Sequence, residues 1–313
     1  DLEPGATLVL YTDGLVERRG EVIDEGLDRL TDAVRRYGGG LPVVLVPAVL
    51  DDLAEHGHAA DDIAVIAARL IPAPLRQRLP ASPAQLAVVR RTVRRWATSA
   101  GLGDDLSDDL LLAMGEAAAN AVEHAYRDGA SGDWCYEVAR CGDGSLEVVV
   151  QDWGSWRPPP ADPGFRGRGV EFVRHLADEV SFERGATGTT VRFRLGVPTT
   201  VAERDRAPVA TAEPVAGGPV VAVPGELDLA TVEAVRAELF GRVAVLPEGG
   251  RMTLDLRPTT YLPSAGIGLL LEVLEHARAR GVDLRILAEP TGLPARAFAL
   301  AGLDMRNTGA AQA

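Results

Sequence analysis

The sequence predicts an α/β and α+β multidomain chain, and three observations carry that expectation. Its 313 residues exceed what one ordinary core holds. Two stretches without periodicity, residues 71–80 and 198–218, are punctuated by proline and divide the chain into three segments. Each segment has its own succession of short apolar runs and helical-period stretches, and no repeat links them.

In residues 1–71 a strand at 7–12 runs into the Asp13-Gly14 turn, followed by helices at 27–36 and 43–55 and a strand at 63–70. Residues 72–81 read as a linker. The central segment, 82–197, opens with Ser82-Pro-Ala-Gln85, a capping box with proline at the first helical position. Leu86, Val89, Val93 and Trp96 form one apolar stripe, and Gly101 ends that helix. A long alanine-rich helix follows, then strands at 134–140, 146–151 and 191–195 and a helix at 170–177. Two helices on an antiparallel-rich sheet make an α/β sandwich. After a second linker, 198–216, residues 217–308 alternate. Strands at 220–223, 252–256 and 284–288 are interleaved with helices at 231–240, 264–280 and 293–301. That pattern is a small βα domain with helices on one face of a mixed sheet. Residues 309–313 read as a disordered tail, and the start at Asp1, without methionine inside a fold-like pattern, reads as a fragment.

Composition narrows the function. A net charge of −13 argues against nucleic acid or an anionic membrane as a partner held by bulk charge. All 32 cations are arginine, which excludes a eukaryotic-type protein kinase site with its strand lysine. Any phosphate must therefore be held by backbone N–H groups, arginine or a metal. Cys135 and Cys141 have no metal-ligand spacing and read as buried reduced thiols. No apolar run is long enough to span a bilayer.

The segment Glu116-Ala-Ala-Ala-Asn120-Ala-Val-Glu-His124 sets a carboxylate, an amide and an imidazole at four-residue spacing along one helix edge. The carboxylate can take a proton while the amide oxygen holds a hard cation. Asp152-Trp-Gly154 ends an apolar strand, Gly167-Arg168-Gly169 precedes a helix, and Gly185-Ala-Thr-Gly188-Thr189-Thr190 opens another strand. Taken singly, each is an ordinary turn, loop or solvated helix face. What distinguishes them is that all four occur in order, each at the end or start of a predicted element.

In that order the four segments resemble the ATP site of the GHKL (histidine-kinase-like ATPase) family, most closely its anti-sigma-factor serine kinase branch. The resemblance implies ATP and Mg²⁺ as cofactors. It implies that Asn120 binds the Mg²⁺ and that Glu116 is the base accepting the proton of an attacking serine. It further implies that Asp152 accepts from the adenine amino group, with Gly154 beside the base. Gly167, Arg168 and Gly169 would meet the phosphates at a helix N-terminus, and Thr189 would close the site. Residues 155–166 would be the mobile lid, and His124 a structural partner near the helix end rather than a base.

Two further resemblances flank this one. Val220-Val-Ala-Val-Pro-Gly225-Glu226-Leu-Asp228-Leu and Leu254-Asp-Leu-Arg-Pro-Thr-Thr-Tyr261-Leu-Pro-Ser264-Ala-Gly266-Ile-Gly268 resemble STAS (anti-anti-sigma factor) domains. The resemblance puts the regulatory phosphoserine at Ser264, at the start of a helix, where it would also serve as an N-cap. The family usually has aspartate just before this serine; here it is Pro263. Leu10-Tyr-Thr-Asp13-Gly14-Leu-Val-Glu17 and Ala60-Asp61-Asp62-Ile resemble the last two metal motifs of PPM-type (type 2C) serine phosphatases of the sporulation and stress-response branch. That chemistry uses Mn²⁺ or Mg²⁺, with Asp13 and Asp61 as the ligands retained. With the earlier aspartate strands of the family missing, the phosphatase segment should be inactive.

Together the resemblances imply a cytoplasmic partner-switching regulator of a sigma factor. Its central domain would phosphorylate a serine on a STAS protein, with its own Ser264 as one candidate acceptor. The alternative is a non-catalytic ATP-dependent module that sequesters a sigma factor or a STAS partner. The presence of Glu116 favours the enzyme. A homodimer is among the possible assemblies; no nucleic acid and no membrane are expected as partners.

Overall fold

The computed structural model describes residues 5–18, 20–38, 41–54, 61–124, 132–154, 169–185, 188–196, 218–289 and 292–301. The expected lid, Gly167, Arg168, the linker 198–216, the tail 309–313 and the side chain of His124 lie outside them.

The first unit contains β1 (Thr7–Tyr11), a 3₁₀ turn (Asp13–Leu15), α1 (Ile23–Tyr37), α2 (Pro42–Ala54) and β2 (Val65–Arg69). β1 and β2 pair antiparallel, Thr7 opposite Arg69. Leu15, Leu30, Ala33, Leu45, Val49 and Leu53 form its separate small core. α1 begins four residues before the expected start at 27 and takes in Gly26, which packs against the Val16 carbonyl, where a Cβ has no room. A helix glycine that weakens the local propensity is here a packing requirement.

The second unit is built from β3 (Leu75–Pro80), α3 (Pro83–Ser99), α4 (Asp104–His124), β4 (Asp133–Arg140), β5 (Leu146–Asp152), α5 (Gly169–Leu176), β6 (Glu179–Gly185) and β7 (Gly188–Leu195). The sheet order is β3-β4-β5-β7-β6, with every pair antiparallel. The 72–81 stretch expected as a linker is corrected by β3, which pairs with β4 from Leu75–Val138 to Pro80–Asp133. Its alternating arginines mark an edge strand with one face toward solvent, which reads as loop when its partner is unknown. β6 was also unanticipated; Val180 and Phe182 alternate with Glu179, Ser181 and Glu183, the same edge-strand pattern. Trp134, Tyr136 and Val138 join Leu146, Val148, Val150, Phe193 and Leu195 under the helices. The stripe Leu86, Val89, Val93 and Trp96 is buried as its spacing requires. Ser82 is the N-cap of α3 but makes no side-chain cap bond, so the expected capping box does not form; Gln85 N–H reaches the Ser82 carbonyl at 3.0 Å instead. Gly101, at φ +64°, ends the helix with Leu102 N–H on the Ala97 carbonyl at 3.1 Å. Cys135 and Cys141 are free and half-buried rather than buried, and burial raises the Cys135 thiol pKa.

The third unit runs β8 (Val220–Ala222), β9 (Gly225–Glu226), α6 (Val232–Ala244), β10 (Arg251–Asp255), β11 (Thr259–Tyr261), α7 (Ser264–Ala279), β12 (Asp283–Leu287) and α8 (Leu293–Leu300). β12-β10-β8 and β11-β9 are both parallel, which corrects the mixed sheet expected. The crossovers through α6 and α7 carry the chain back to the same end of the sheet, so that β8, β10 and β12 run the same way. Apolar residues of the second and third units form one continuous core, so the two are packed together rather than merely tethered. None of the described helices is long and apolar enough to cross a membrane.

Candidate functional site

The packing of the third unit on the second brings Glu116 and Ser264 together. The middle of α4 is apolar and enclosed, Leu110 through Met114 and Ala117, Ala118 and Ala121 all being buried. Glu116 is carried into that environment and is 2% exposed. A buried carboxylate is costly unless its oxygens accept hydrogen bonds. Both are served by one residue 148 positions away: Ser264 N–H donates to Oε1 at 2.6 Å and the Ser264 hydroxyl donates to Oε2 at 2.7 Å. Burial pushes the Glu116 carboxyl pKa up, and the two Ser264 donors pull it part of the way back. Ser264 is the first residue of α7, and the cap position expected for it is held by Pro263 in extended conformation. The serine N–H, free of any intrahelical role at that position, is thereby aimed at Glu116.

Asn120, one turn further along α4, is half-buried and shares with Glu116 and Ser264 a cavity of about 290 Å³. Gly169, the first residue of α5, lines the same cavity; a Cβ there would lie 2.5 Å from Glu116 Oε2 and 3.5 Å from Ser264 Oγ. Glycine is what lets a helix N-terminus, with its unpaired N–H groups, come this near the pair.

Asp152, Gly154 and Thr189 form a second group where β5 ends and β7 begins. Asp152 is 7% exposed, and its Oδ1 accepts the N–H of Gly154 at 3.0 Å and of Thr189 at 3.3 Å. Burial raises the Asp152 carboxyl pKa and the two N–H groups oppose that rise. Gly188 has φ +137°, and a Cβ on it would collide with the Asp152 carbonyl. Beside this group the Arg78 guanidinium lies over the Trp153 ring, 4.4 Å from its centroid.

Sequence reasoning missed the residues that hold the two units in register. Arg90 on α3 is 5% exposed. It pairs with Glu226 at 2.5 Å and in close contact with Asp228, while lying over the Tyr261 ring at 4.3 Å. Arg296 on α8 pairs with Asp109 and, at 3.3 Å, with Asp105 of α4. One signal was present: Arg90 falls at helical spacing among Leu86, Val89 and Val93, a charge on the apolar stripe.

The Asp13 and Asp61 segments also meet. The Thr12 hydroxyl donates to the Asp62 carbonyl at 3.0 Å, and a Cβ on Gly14 would lie 2.6 Å from that same oxygen. Asp13 Oδ1 accepts Gly14 N–H and Asp61 Oδ1 accepts Asp62 N–H, at 2.9 and 2.8 Å. Among the described residues no group of three or more His, Cys, Asp or Glu side chains is assembled for a metal ion. Two carboxylates are too few donors for a dinuclear centre, so the described residues do not fit one.

Three family models match the chain: Stage II sporulation protein E over residues 1–71, the histidine kinase-like ATPase domain over 79–195, and the Mlab STAS domain over 213–305. Relatives of the central part are named serine-protein kinase RsbW. That of Bacillus velezensis is 36% identical over 80 residues, covering 26% of this chain and 49% of the relative. The chain thus spans about half the length of that relative. That of Oceanobacillus iheyensis is 31% identical, over 34% of this chain and 76% of the relative. That of Staphylococcus epidermidis is 31% identical, over 38% of this chain and 86% of the relative. A crystal structure of the RsbU and RsbW domains of Rv1364c from Mycobacterium tuberculosis is similar at 29% identity and TM-score 0.39, covering 62% of this chain and 53% of that one.

Proposed function

The chain belongs, through its central domain, to the RsbW serine-protein kinase family, with a PPM-type segment before that domain and a STAS domain after it, and on that premise we propose that it transfers phosphate from ATP to Ser264 of its own STAS domain. The observation that carries the proposal is the Ser264 hydroxyl donating to a buried Glu116 carboxylate at 2.7 Å. An acceptor hydroxyl on a carboxylate of raised pKa is the ground-state arrangement of general-base catalysis. Glu116 Oε2 would take the hydroxyl proton, and Oε1, by accepting the Ser264 N–H, fixes which way the serine faces. The donors present fit a nucleotide with its metal: Asn120 offers a hard oxygen in the shared cavity, Gly169 a helix N-terminus, and Asp152 a buried acceptor for an amino group. A bound ATP would supply the γ-phosphoryl group, with ADP as the leaving group and Ser264 Oγ as the acceptor. A STAS protein in another chain, or a sigma factor, would compete for the same face of α4 in the partner-switching scheme.

The direct test is to incubate the full chain with Mg²⁺ and labelled ATP and to map phosphoserine by mass spectrometry. Label on Ser264 that appears with a first-order rate constant independent of protein concentration is the result expected of transfer within one chain. Stable nucleotide binding with no phosphoserine would leave the sequestering module as the better description.

Two variants refine the reading. Asp152→Asn keeps one oxygen for Gly154 and Thr189 and removes the charge and the second acceptor. Calorimetry should find ADP affinity weaker by roughly 1–3 kcal/mol. Ser264→Asp sets a second carboxylate against Glu116 at a contact built for a hydroxyl. It should open the docked arrangement at least about tenfold, read as faster hydrogen exchange at the start of α7, whereas Ser264→Ala should stay docked and unlabelled.

A further inference from the structure

One aromatic side chain in the docked interface has no part in the transfer chemistry. Tyr261 ends β11 three residues before Ser264 and is 1% exposed. Its hydroxyl is buried without a hydrogen-bond partner. Its tip meets α4 at Gly115, the residue before Glu116: a Cβ there would fall on the Tyr261 hydroxyl oxygen and lie 3.0 Å from Cζ. The backbone of α4 gives no reason for glycine at 115, since it is mid-helix and absent from the positive-φ glycines. Glycine in a helix interior is less favourable than the alanine that fills positions 113, 117, 118 and 121 of the same helix. The reason for it lies across the interface, in the volume of the tyrosine.

We propose that Gly115 and Tyr261 are a notch and knob that select the phosphoacceptor. The class of substrate this kinase face admits is a STAS domain with a six-membered aromatic ring three residues before its serine, and the missing Cβ on α4 is what admits it. The inference rests on the transfer reading above and deepens it. The geometry links the two contacts: the notch precedes Glu116 by one residue, and the knob is joined to Ser264 by Leu262 and Pro263 alone. Seating the ring therefore sets the position of Ser264 against Glu116. Arg90 lies over the face of the same ring, 4.3 Å from its centroid, and helps to hold it in place. Both residues act through the pair they align, and are positioning residues.

The test uses the full chain as wild type, Gly115→Ala, Tyr261→Phe and the double variant. Hydrogen exchange at residues 112–118 and 264–268 reads docking, mass spectrometry reads Ser264 labelling, and calorimetry with ADP reads the integrity of the nucleotide side. Gly115→Ala should lose protection and labelling together, by roughly 10–100-fold, as overpacking of a close contact does, with ADP affinity unchanged. Tyr261→Phe should remain docked and labelled like wild type. The double variant should regain most of the loss, because the atom that the new methyl meets first is gone. Wild-type exchange in Gly115→Ala, or a loss that Tyr261→Phe does not relieve, would overturn the proposal. Exchange that follows the expected pattern with no Ser264 label in any protein would uphold the knob and notch as the docking determinant and reject the transfer reading instead.

Discussion

Glu116→Gln should slow labelling of Ser264 by roughly 10²–10⁴-fold, the usual share of a general base, while the STAS domain stays docked. The amide keeps one oxygen to accept the Ser264 N–H and an NH₂ to donate to the Ser264 oxygen, so shape and hydrogen bonding survive and only the proton acceptor is lost. Single-turnover labelling with hydrogen exchange as the docking control separates the two. In the wild type the base must be ionised, and burial holds its pKa above the ordinary glutamate range. Labelling should therefore rise with pH along a limb displaced upward from that range, and Glu116→Gln should abolish the limb. Stability runs the other way. A group whose native pKa is raised contributes most below its unfolded pKa, and that contribution is lost as pH rises through the native value. At neutral pH Glu116→Gln should accordingly melt no lower than wild type.

Arg90→Ala should undock the STAS domain, at a cost of roughly 3–5 kcal/mol, the range for removing one partner of a buried ion pair. Arg90 and Asp228 are both almost fully enclosed, at 5% and 3% exposure, and the substitution strands Asp228 and Glu226 without their shared cation. The stacked face of Tyr261 is uncovered as well. Exchange at the start of α7 should accelerate and Ser264 labelling should fall in parallel, with ADP affinity intact. A full chain that kept wild-type protection at residues 264–268 would show that the apolar core shared by the two units suffices to hold them. Arg296→Ala should have the smaller effect, since Arg296 is itself partly exposed and one of its two partners, Asp105, is open to solvent.

Much of the fold was legible because periodicity reports which face of an element is buried. The stripe from Leu86 to Trp96, the enclosed alanine helix and the inward alternation of β4, β5 and β7 are each a local record of a core. β3 and β6 were not legible, since edge strands bury one face and fill the other with charge, and Leu75-Arg-Gln-Arg-Leu79 differs from a polar linker only by its β4 neighbour, distant in sequence, from Trp134 to Val138. The short strands β9 and β11 are set by the turn into each helix rather than by any run long enough to show a period.

By itself the sequence determined the division into three segments, the element types apart from the edge and short strands, and the chemistry on offer: an acid and an amide one turn apart on α4, an acidic residue at a strand end, a glycine at the start of α5 and a serine at the start of α7. Those follow from residue type and short-range spacing, which the chain carries locally. Only the tertiary structure decided that Glu116 and Ser264, 148 residues apart, share two hydrogen bonds, that Arg90 is buried between two acids, and that Gly115 is glycine on account of Tyr261. The physical reason is that a contact across an interface depends on volumes and charges matching between elements distant in sequence. No local period records that match, and it exists only once the apolar faces of the second and third units have closed on one another.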